Sequence, residues 1–178
     1  MQQSDPPARQ IPPDVARYLK GVPAEGHQFD FLIGDWNVAA TRYKEDGSVV
    51  LQYKASWSAQ SLNDGRMIMD DFKALAPTGQ PVSSFVTLRT YSEATGRWEL
   101  QGLGALQPAS PLEWHGTWQE GQMVLNAFGQ DTDGMPLRTR IRFSRIQKNS
   151  FSWESELTRD GGRSWFRNAS LEAVRAPS

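Results

Sequence analysis

The sequence predicts an all-β fold, a single antiparallel up-and-down β-barrel of about ten strands with a short N-terminal helix or helical turn closing one end. Turn signals recur about every ten to fourteen residues after Asp35, a rhythm typical of barrels and sandwiches. Apolar and polar residues alternate between many of these turns, as in strands with one buried face. Before them stands Gly34-Asp35-Trp36, in which the glycine permits a sharp turn and the tryptophan ring can plug a barrel.

The region before the strands divides into two segments. Residues 1–13 are polar and rich in proline, which predicts a flexible N-terminal arm. Residues 14–26 are predicted to form a short helix, from Asp14 to Lys20, and a linker. The barrel domain is predicted over residues 27–175. A helical turn and an apolar cluster are expected to close its base, and the residues of this closure are Phe29, Phe31, Gly34 and Trp36.

Nine turn signals separate the ten predicted strands. The strands are expected at approximately 35–44, 49–59, 66–76, 82–92, 97–106, 112–119, 122–130, 136–146, 151–158 and 164–174. Pairing the eighth strand with the ninth around Lys148 sets Arg142 near Glu154 and Arg140 near Glu156. These charges form either an outer ladder of cross-strand pairs or an inward arginine that grips a carboxylate ligand.

The composition limits the classes of partner. A net charge of -1 over 178 residues, with no basic block, gives no reason to expect nucleic acid or an anionic membrane surface. Cysteine is absent, which excludes disulfides, thiolate metal sites and cysteine nucleophiles. No apolar run approaches the roughly 18 residues that span a bilayer. We expect a cytoplasmic protein, and an exported protein whose signal peptide is not in this sequence is the alternative.

The segment Phe29 to Trp36 resembles the opening of calycin-type barrels, the superfamily of lipocalins, fatty-acid-binding proteins and nitrobindin-like haem proteins. It is most similar to a bacterial calycin-like family of unknown function whose members begin Phe-Asp-Phe-x-x-Gly-x-Trp. The stretches Tyr91 to Trp98 and Phe143 to Trp165 are also similar, so the resemblance covers roughly residues 27–175. It implies a ten-stranded barrel around a cavity and no agreed reaction.

Haem ligation is where this sequence departs from the nitrobindin-like proteins, which hold haem iron through a histidine on a late strand. Its two histidines are His27, in the entry segment, and His115, in the sixth predicted strand. No histidine follows position 115, so we expect neither haem nor another cofactor. Glu113 shares a face with His115, but a metal ion would need further ligands from distant carboxylates, so no metal site is expected.

Two turn motifs have structural interpretations. Residues 158–165 fit the Asp-box pattern of sialidases, in which an aspartate accepts backbone hydrogen bonds and a tryptophan packs beneath the hairpin. A propeller would need several such repeats, so we interpret this one as a structural turn. The second motif, Asp131-x-Asp133-Gly134, lacks the further acidic ligands of a calcium loop and is interpreted as a polar hairpin turn.

The aromatic content predicts a lumen lined by large rings, which fits a flat apolar ligand. Arg89 and Tyr91 share a face and resemble the carboxylate clamp of fatty-acid-binding proteins, although two residues often match such a pattern by chance. One of Asp70 and Asp71 must point inward, where a carboxylate can serve as a general acid or base. The side chains expected to bind the ligand are Trp57, Met69, Arg89, Tyr91, Trp98, Trp114, Trp118 and Trp153.

Three functions are compatible with such a barrel. The first is a carrier or sensor that binds a small hydrophobic or aromatic molecule in the cavity, either as a monomer or as a homodimer. The second is a cavity enzyme, an isomerase, cyclase, hydratase or hydrolase, with Asp71 or Asp70 and His115 as acid–base groups and Arg89 and Tyr91 as oxyanion donors. The third is an interaction domain with a filled interior, as small barrels often have.

Overall fold

The computed structural model describes residues 11–130 and 133–177. Ten antiparallel strands form a closed barrel, in which each strand pairs with its neighbours in sequence and the first strand pairs with the last. This confirms the predicted fold class. The strands are β1 (Gly34–Tyr43), β2 (Val49–Leu62), β3 (Met67–Leu75), β4 (Pro81–Ser92), β5 (Arg97–Gly104), β6 (Gln107–Gln119), β7 (Gln122–Gln130), β8 (Pro136–Gln147), β9 (Ser150–Thr158) and β10 (Phe166–Arg175).

Most strand bounds differ from the predicted ones by only a few residues, and the largest difference is at the start of β6. The turn expected at 107–111 lies inside β6, so that prediction is wrong. The chain reverses instead at Ala105 and Leu106, where the Ala105 amide donates to the Ser84 carbonyl oxygen at 2.8 Å. Proline-rich sequence indicated a turn, but the register of β5 against β6 places the reversal earlier.

One end of the barrel is closed, as the sequence predicts. The α-helix α1 (Pro13–Leu19) and two 3-10 turns, Ala24–His27 and Asp30–Leu32, precede β1. Phe29 and Leu32 are fully buried beneath the strands. Trp36 is also buried, and its Nε1 donates to the Leu32 carbonyl oxygen at 2.7 Å. The helix lies one residue earlier than expected, and most of the predicted arm, residues 1–10, lies outside the described residues.

The junction between this closure and the barrel depends on Gly34. Its φ of +117° lies in the left-handed region, which favours glycine. A Cβ at this position would clash with Nη1 of Arg175. That guanidinium donates to the carbonyl oxygens of Ile33 and Phe31 and stacks over the Trp36 ring at 3.8 Å. Glycine therefore permits both the turn and the approach of the arginine.

The charges of β8 and β9 form the outer ladder that was one of the two predicted arrangements. Arg140 pairs with Glu156 at 2.8 Å, and Arg142 contacts Glu154 at 3.1 Å and Glu156 at 2.6 Å. Burial alone would raise the pKa of Glu156, but the hydrogen bonds from Arg140 and Arg142 outweigh it and hold that pKa below its usual value. The alternating residues Ile141 and Phe143 are buried on the opposite, inner face.

The turn after β9 has the hydrogen bonds expected of the Asp-box pattern. The Asp160 carboxylate accepts from the backbone amides of Arg163 and Ser164 and from the Thr158 hydroxyl, all at 2.8–3.0 Å. Nε1 of Trp165 donates to the Gly162 carbonyl oxygen.

The second turn motif, interpreted from the sequence as a polar hairpin turn at Asp131, falls partly on residues outside the described ranges. Within those ranges, no helix has the length and apolar character that crossing a bilayer requires.

Candidate functional site

The barrel encloses a cavity of about 680 Å³. Strand β1 starts beside the closing turns and ends at Tyr43, so the turns after β1, β3, β5, β7 and β9 surround the opposite end. Cavity-lining residues reach that end at Arg42, Leu106 and Phe128, of which Leu106 is 81% and Phe128 64% exposed. The cavity therefore opens at the end away from the buried closure.

Large aromatic rings form much of the cavity wall. Trp57 and Phe72 make an edge-to-face pair with centroids 5.6 Å apart, and Phe85 and Trp114 make another at 5.9 Å. Aliphatic side chains from other strands fill the gaps between the rings. The wall aromatics inside the barrel are Tyr53, Trp57, Phe72, Phe85, Trp114, Phe143 and Trp153. Such a surface favours flat, apolar molecules.

A buried ion pair lies in the cavity wall near the closed end. Asp70 and Arg89 are 1% and 3% exposed, and Nε of Arg89 donates to Oδ2 of Asp70 at 2.6 Å. Nε1 of Trp57 donates to Oδ1 of Asp70 at 2.8 Å. The Arg89 guanidinium also stacks over the ring of Phe29 at 4.8 Å. Both carboxylate oxygens are engaged, so the pair neutralises its own charges and links the wall to the closure.

Arg42 and Asn168 are two of the polar side chains that line the cavity toward its mouth. Arg42 occupies the last inward position of β1, after the buried Trp36, Val38 and Ala40. It forms no ion pair with any residue that the structure describes. Asn168 lies at an irregularity of β10, where Arg167 pairs with Glu156 and Ala169 with the next residue, Ser155. The Oδ1 atom of Asn168 is buried and has no hydrogen-bond partner.

The structure brings together only part of the predicted site. Trp57, Arg89, Trp114 and Trp153 line the cavity. Three others belong to inward positions nearer the closed end and do not reach the cavity. Among them, Trp98 is fully buried against Phe29, with centroids 4.9 Å apart, and donates from Nε1 to Gln28. The other two, partly buried around the same core, are Tyr91 and Trp118.

The structure places three predicted site residues on the outer face, away from the cavity. Met69 and Asp71 lie on the outer face of β3, because the inward parity belongs to Ile68, Asp70 and Phe72. Asp71 pairs there with Lys73 at 2.9 Å and accepts from the Ser84 hydroxyl at 2.8 Å. His115 stacks on the exposed ring of Phe128, with centroids 5.9 Å apart. Neither Asp71 nor His115 can reach a molecule inside the barrel as the side chains stand.

Arg42 and Asn168 are two of the cavity residues that sequence reasoning did not place in the site, as are the aromatic residues Tyr53, Phe72, Phe85 and Phe143. The inward position of Arg42 could have been predicted from the sequence, because the alternation Trp36, Val38, Ala40 continues to this residue. The orientation of Asn168 could not have been predicted, because one extra residue in β10 sets it and no local sequence signal marks that residue. The described residues contain no group of three His, Cys, Asp or Glu side chains placed to hold a metal ion.

Comparison with known proteins shows the fold. No protein-family model and no curated protein matches this chain. The crystal structure of Rv2717c from M. tuberculosis is similar with a TM-score of 0.61 at 12% identity, over 88% of this chain and 99% of that one. The S-type phycobiliprotein lyase CPES from Guillardia theta is similar with a TM-score of 0.58 at 15% identity, over 90% and 97%. At these identities the likeness shows the fold alone, a closed ten-stranded antiparallel barrel.

Proposed function

We propose that this protein binds a small hydrophobic or aromatic molecule in its barrel cavity, as a carrier or sensor. The observation that carries the proposal is the cavity itself. Its volume of about 680 Å³ lies within the range of roughly 300–1,000 Å³ in which small-molecule sites fall. Aromatic rings dominate its wall, and the Asp70–Arg89 pair is already satisfied. A filled interior, as an interaction domain would have, does not fit this geometry.

The finer assignments are part of the same proposal. Fold likeness to a phycobiliprotein lyase supports a ligand-binding barrel without identifying the ligand. Membership of the bacterial calycin-like family opening with Phe-Asp-Phe-x-x-Gly-x-Trp rests on the sequence resemblance. The cytoplasmic location, a homodimeric state and the division at residues 13 and 26 stay predictions.

A cavity enzyme is the weaker alternative. Its acid–base candidates Asp71 and His115 lie on the outer face. Asp70 faces inward, but its two oxygens already accept hydrogen bonds from Trp57 and Arg89, so a substrate proton would have to compete with this buried ion pair. Tyr91 packs against Trp98, with centroids 5.9 Å apart, and does not line the cavity with Arg89. The predicted oxyanion pair is therefore split.

The proposal is tested with 1-anilinonaphthalene, a neutral aromatic probe whose emission rises in apolar surroundings. We expect saturable binding with quenching of tryptophan emission, since Trp57, Trp114 and Trp153 line the cavity. Ala40→Trp puts a large ring into the cavity and should weaken binding by about tenfold or more, equivalent to about 1.4 kcal/mol. Ala39→Trp, on the exposed outer face next to it, is the matched control.

The two variants separate cavity binding from surface adsorption. Folding of both is checked first by their denaturation midpoints. Equal probe affinity in the two variants would mean that the probe binds outside the barrel, and the proposed function would fail. Native mass spectrometry of protein purified from its own host then identifies the ligand, because a carrier arrives loaded whereas a catalyst that turns over arrives empty.

A further inference from the structure

The charged side chains that line the cavity leave one positive charge uncompensated. They are Arg42, Asp70 and Arg89. Asp70 and Arg89 neutralise each other at 2.6 Å, near the closed end. Arg42 lies toward the mouth and has no acidic partner among the residues that the structure describes. A ligand in this cavity therefore meets a single unpaired cation, at the open end.

Asn168 supplies a second, independent polar requirement. Its Oδ1 is buried without a hydrogen-bond partner, although buried amide oxygens in proteins are nearly always paired. The extra residue in β10 turns this side chain into the cavity wall, where Ala169 also lines it. As the side chain stands, its neighbours cover this oxygen; a rotation of Asn168 toward the cavity that the residue lines would let an N–H or O–H of the ligand satisfy it.

The pairing of β1 with β10 puts these two groups on the same side of the mouth. Arg42 is directly opposite Ala169, the residue that follows Asn168. The other side of the mouth carries the apolar residues Leu106, Leu112 and Phe128, with the uncharged Gln130 beside them. The unpaired charge of the mouth thus lies on the β1 side, and the β5 to β7 side is mostly apolar.

Building on the proposed function, we infer that the ligand is an amphipathic organic acid held at the mouth of the barrel. Its flat apolar body packs against the aromatic wall. Its acidic group accepts hydrogen bonds from the Arg42 guanidinium, and an N–H or O–H close to that group donates to Oδ1 of Asn168. Charge-assisted bonds to arginine are favoured for such oxyanions, because the guanidinium presents paired donors.

Two probes that differ by one acidic group test this inference. 8-Anilinonaphthalene-1-sulfonate has the body and N–H of 1-anilinonaphthalene plus a sulfonate. We expect the sulfonate to bind the native protein more tightly. Arg42→Gln should weaken sulfonate binding by about tenfold while changing the affinity for the neutral probe by less than about twofold. Arg163→Gln removes an exposed arginine from a turn at the same end of the barrel and outside the cavity wall, so it is the matched control.

The outcomes distinguish this inference from the proposed function. If both probes bind equally, or if Arg163→Gln weakens sulfonate binding as much as Arg42→Gln, there is no acidic subsite, while binding of the neutral probe still supports the proposed function. If neither probe binds, both proposals fail. Asn168→Leu keeps a similar side-chain volume and removes the amide, so it should weaken the binding of both probes. Unchanged or tighter binding would show that Asn168 does not contact the ligand.

Discussion

At the scale of single residues, Asp70 and Asp71 show how position decides the role of a side chain. The two are adjacent in β3 and chemically identical, yet they face opposite sides of the barrel wall. Asp70 is buried between Trp57 and Arg89, whereas Asp71 forms a partly exposed pair with Lys73. A buried carboxylate needs a partner for each oxygen, and the inner face supplies both.

Asp70→Asn should destabilise the protein by about 3–5 kcal/mol, because it leaves Arg89 as a buried charge without a counterion. Asp71→Asn should change stability by only about 0–1 kcal/mol, since its pair with Lys73 is partly screened by water. Urea denaturation of the two variants measures the difference. Equal losses would show that the Asp70–Arg89 pair is not the electrostatic link we describe.

Trp36→Ala should cost about 3–5 kcal/mol, because the buried ring packs edge-on against Phe151 at 4.7 Å and seals the closed end. Trp36→Phe keeps a ring but leaves the Leu32 carbonyl oxygen without its donor, a loss of about 1–3 kcal/mol. Chemical denaturation should therefore rank the native protein, the Phe variant and the Ala variant in that order. A midpoint for the Ala variant within error of the native one would contradict the closure by Trp36.

At the scale of elements, the turn between β9 and β10 shows a motif that acts locally. The hydrogen bonds to Asp160 all come from residues within four positions along the chain. The hydroxyl and amide of Ser164, with the hydroxyl of Thr158, hold the pKa of Asp160 well below its ordinary value. A turn held by such local bonds does not depend on the rest of the fold, and here it joins two strands at the mouth.

Asp160→Asn should lower stability near neutral pH, and its difference from the native protein should shrink in acid. Because the folded-state pKa of Asp160 is depressed, its stabilisation is complete above the unfolded value of about 3.9 and is lost as pH falls through the folded value. Urea denaturation midpoints at several values from about pH 7 to about pH 2 measure this. A difference that stays constant across this range would contradict an ionised aspartate as the organiser of the turn.

At the scale of the whole molecule, closure of the barrel sorts residues into a lumen and an outer surface. The pairing of β1 with β10 removes both sheet edges. The interior of a ten-stranded barrel is wider than its inward side chains can fill, so a lumen is left. Both histidines of the chain lie outside the lumen. His27 bonds to Asp30 at 2.8 Å on the outside of the closure, and His115 stacks on Phe128.

Added haemin should therefore give no spectrum of histidine-ligated iron within the barrel, and the purified protein should show no Soret band. The physical reason is that neither imidazole lines the cavity, where a haem would be enclosed. Absorption spectroscopy with the native protein and His115→Ala provides the measurement. A ligated complex that His115→Ala abolishes would overturn both the orientation of His115 and the expectation that haem is absent.

The sequence by itself determined the fold class, the ten strands, the closure at Gly34 and Trp36 and the pairing of Arg140 with Glu156. These features depend on local signals, such as turn residues and alternation, and on pairing between neighbouring strands. Only the tertiary structure decided which aspartate faces inward, because alternation in β3 gives two apolar faces of similar character. It also decided the place of Asn168, since an extra residue in β10 reverses the side-chain parity that the sequence implies.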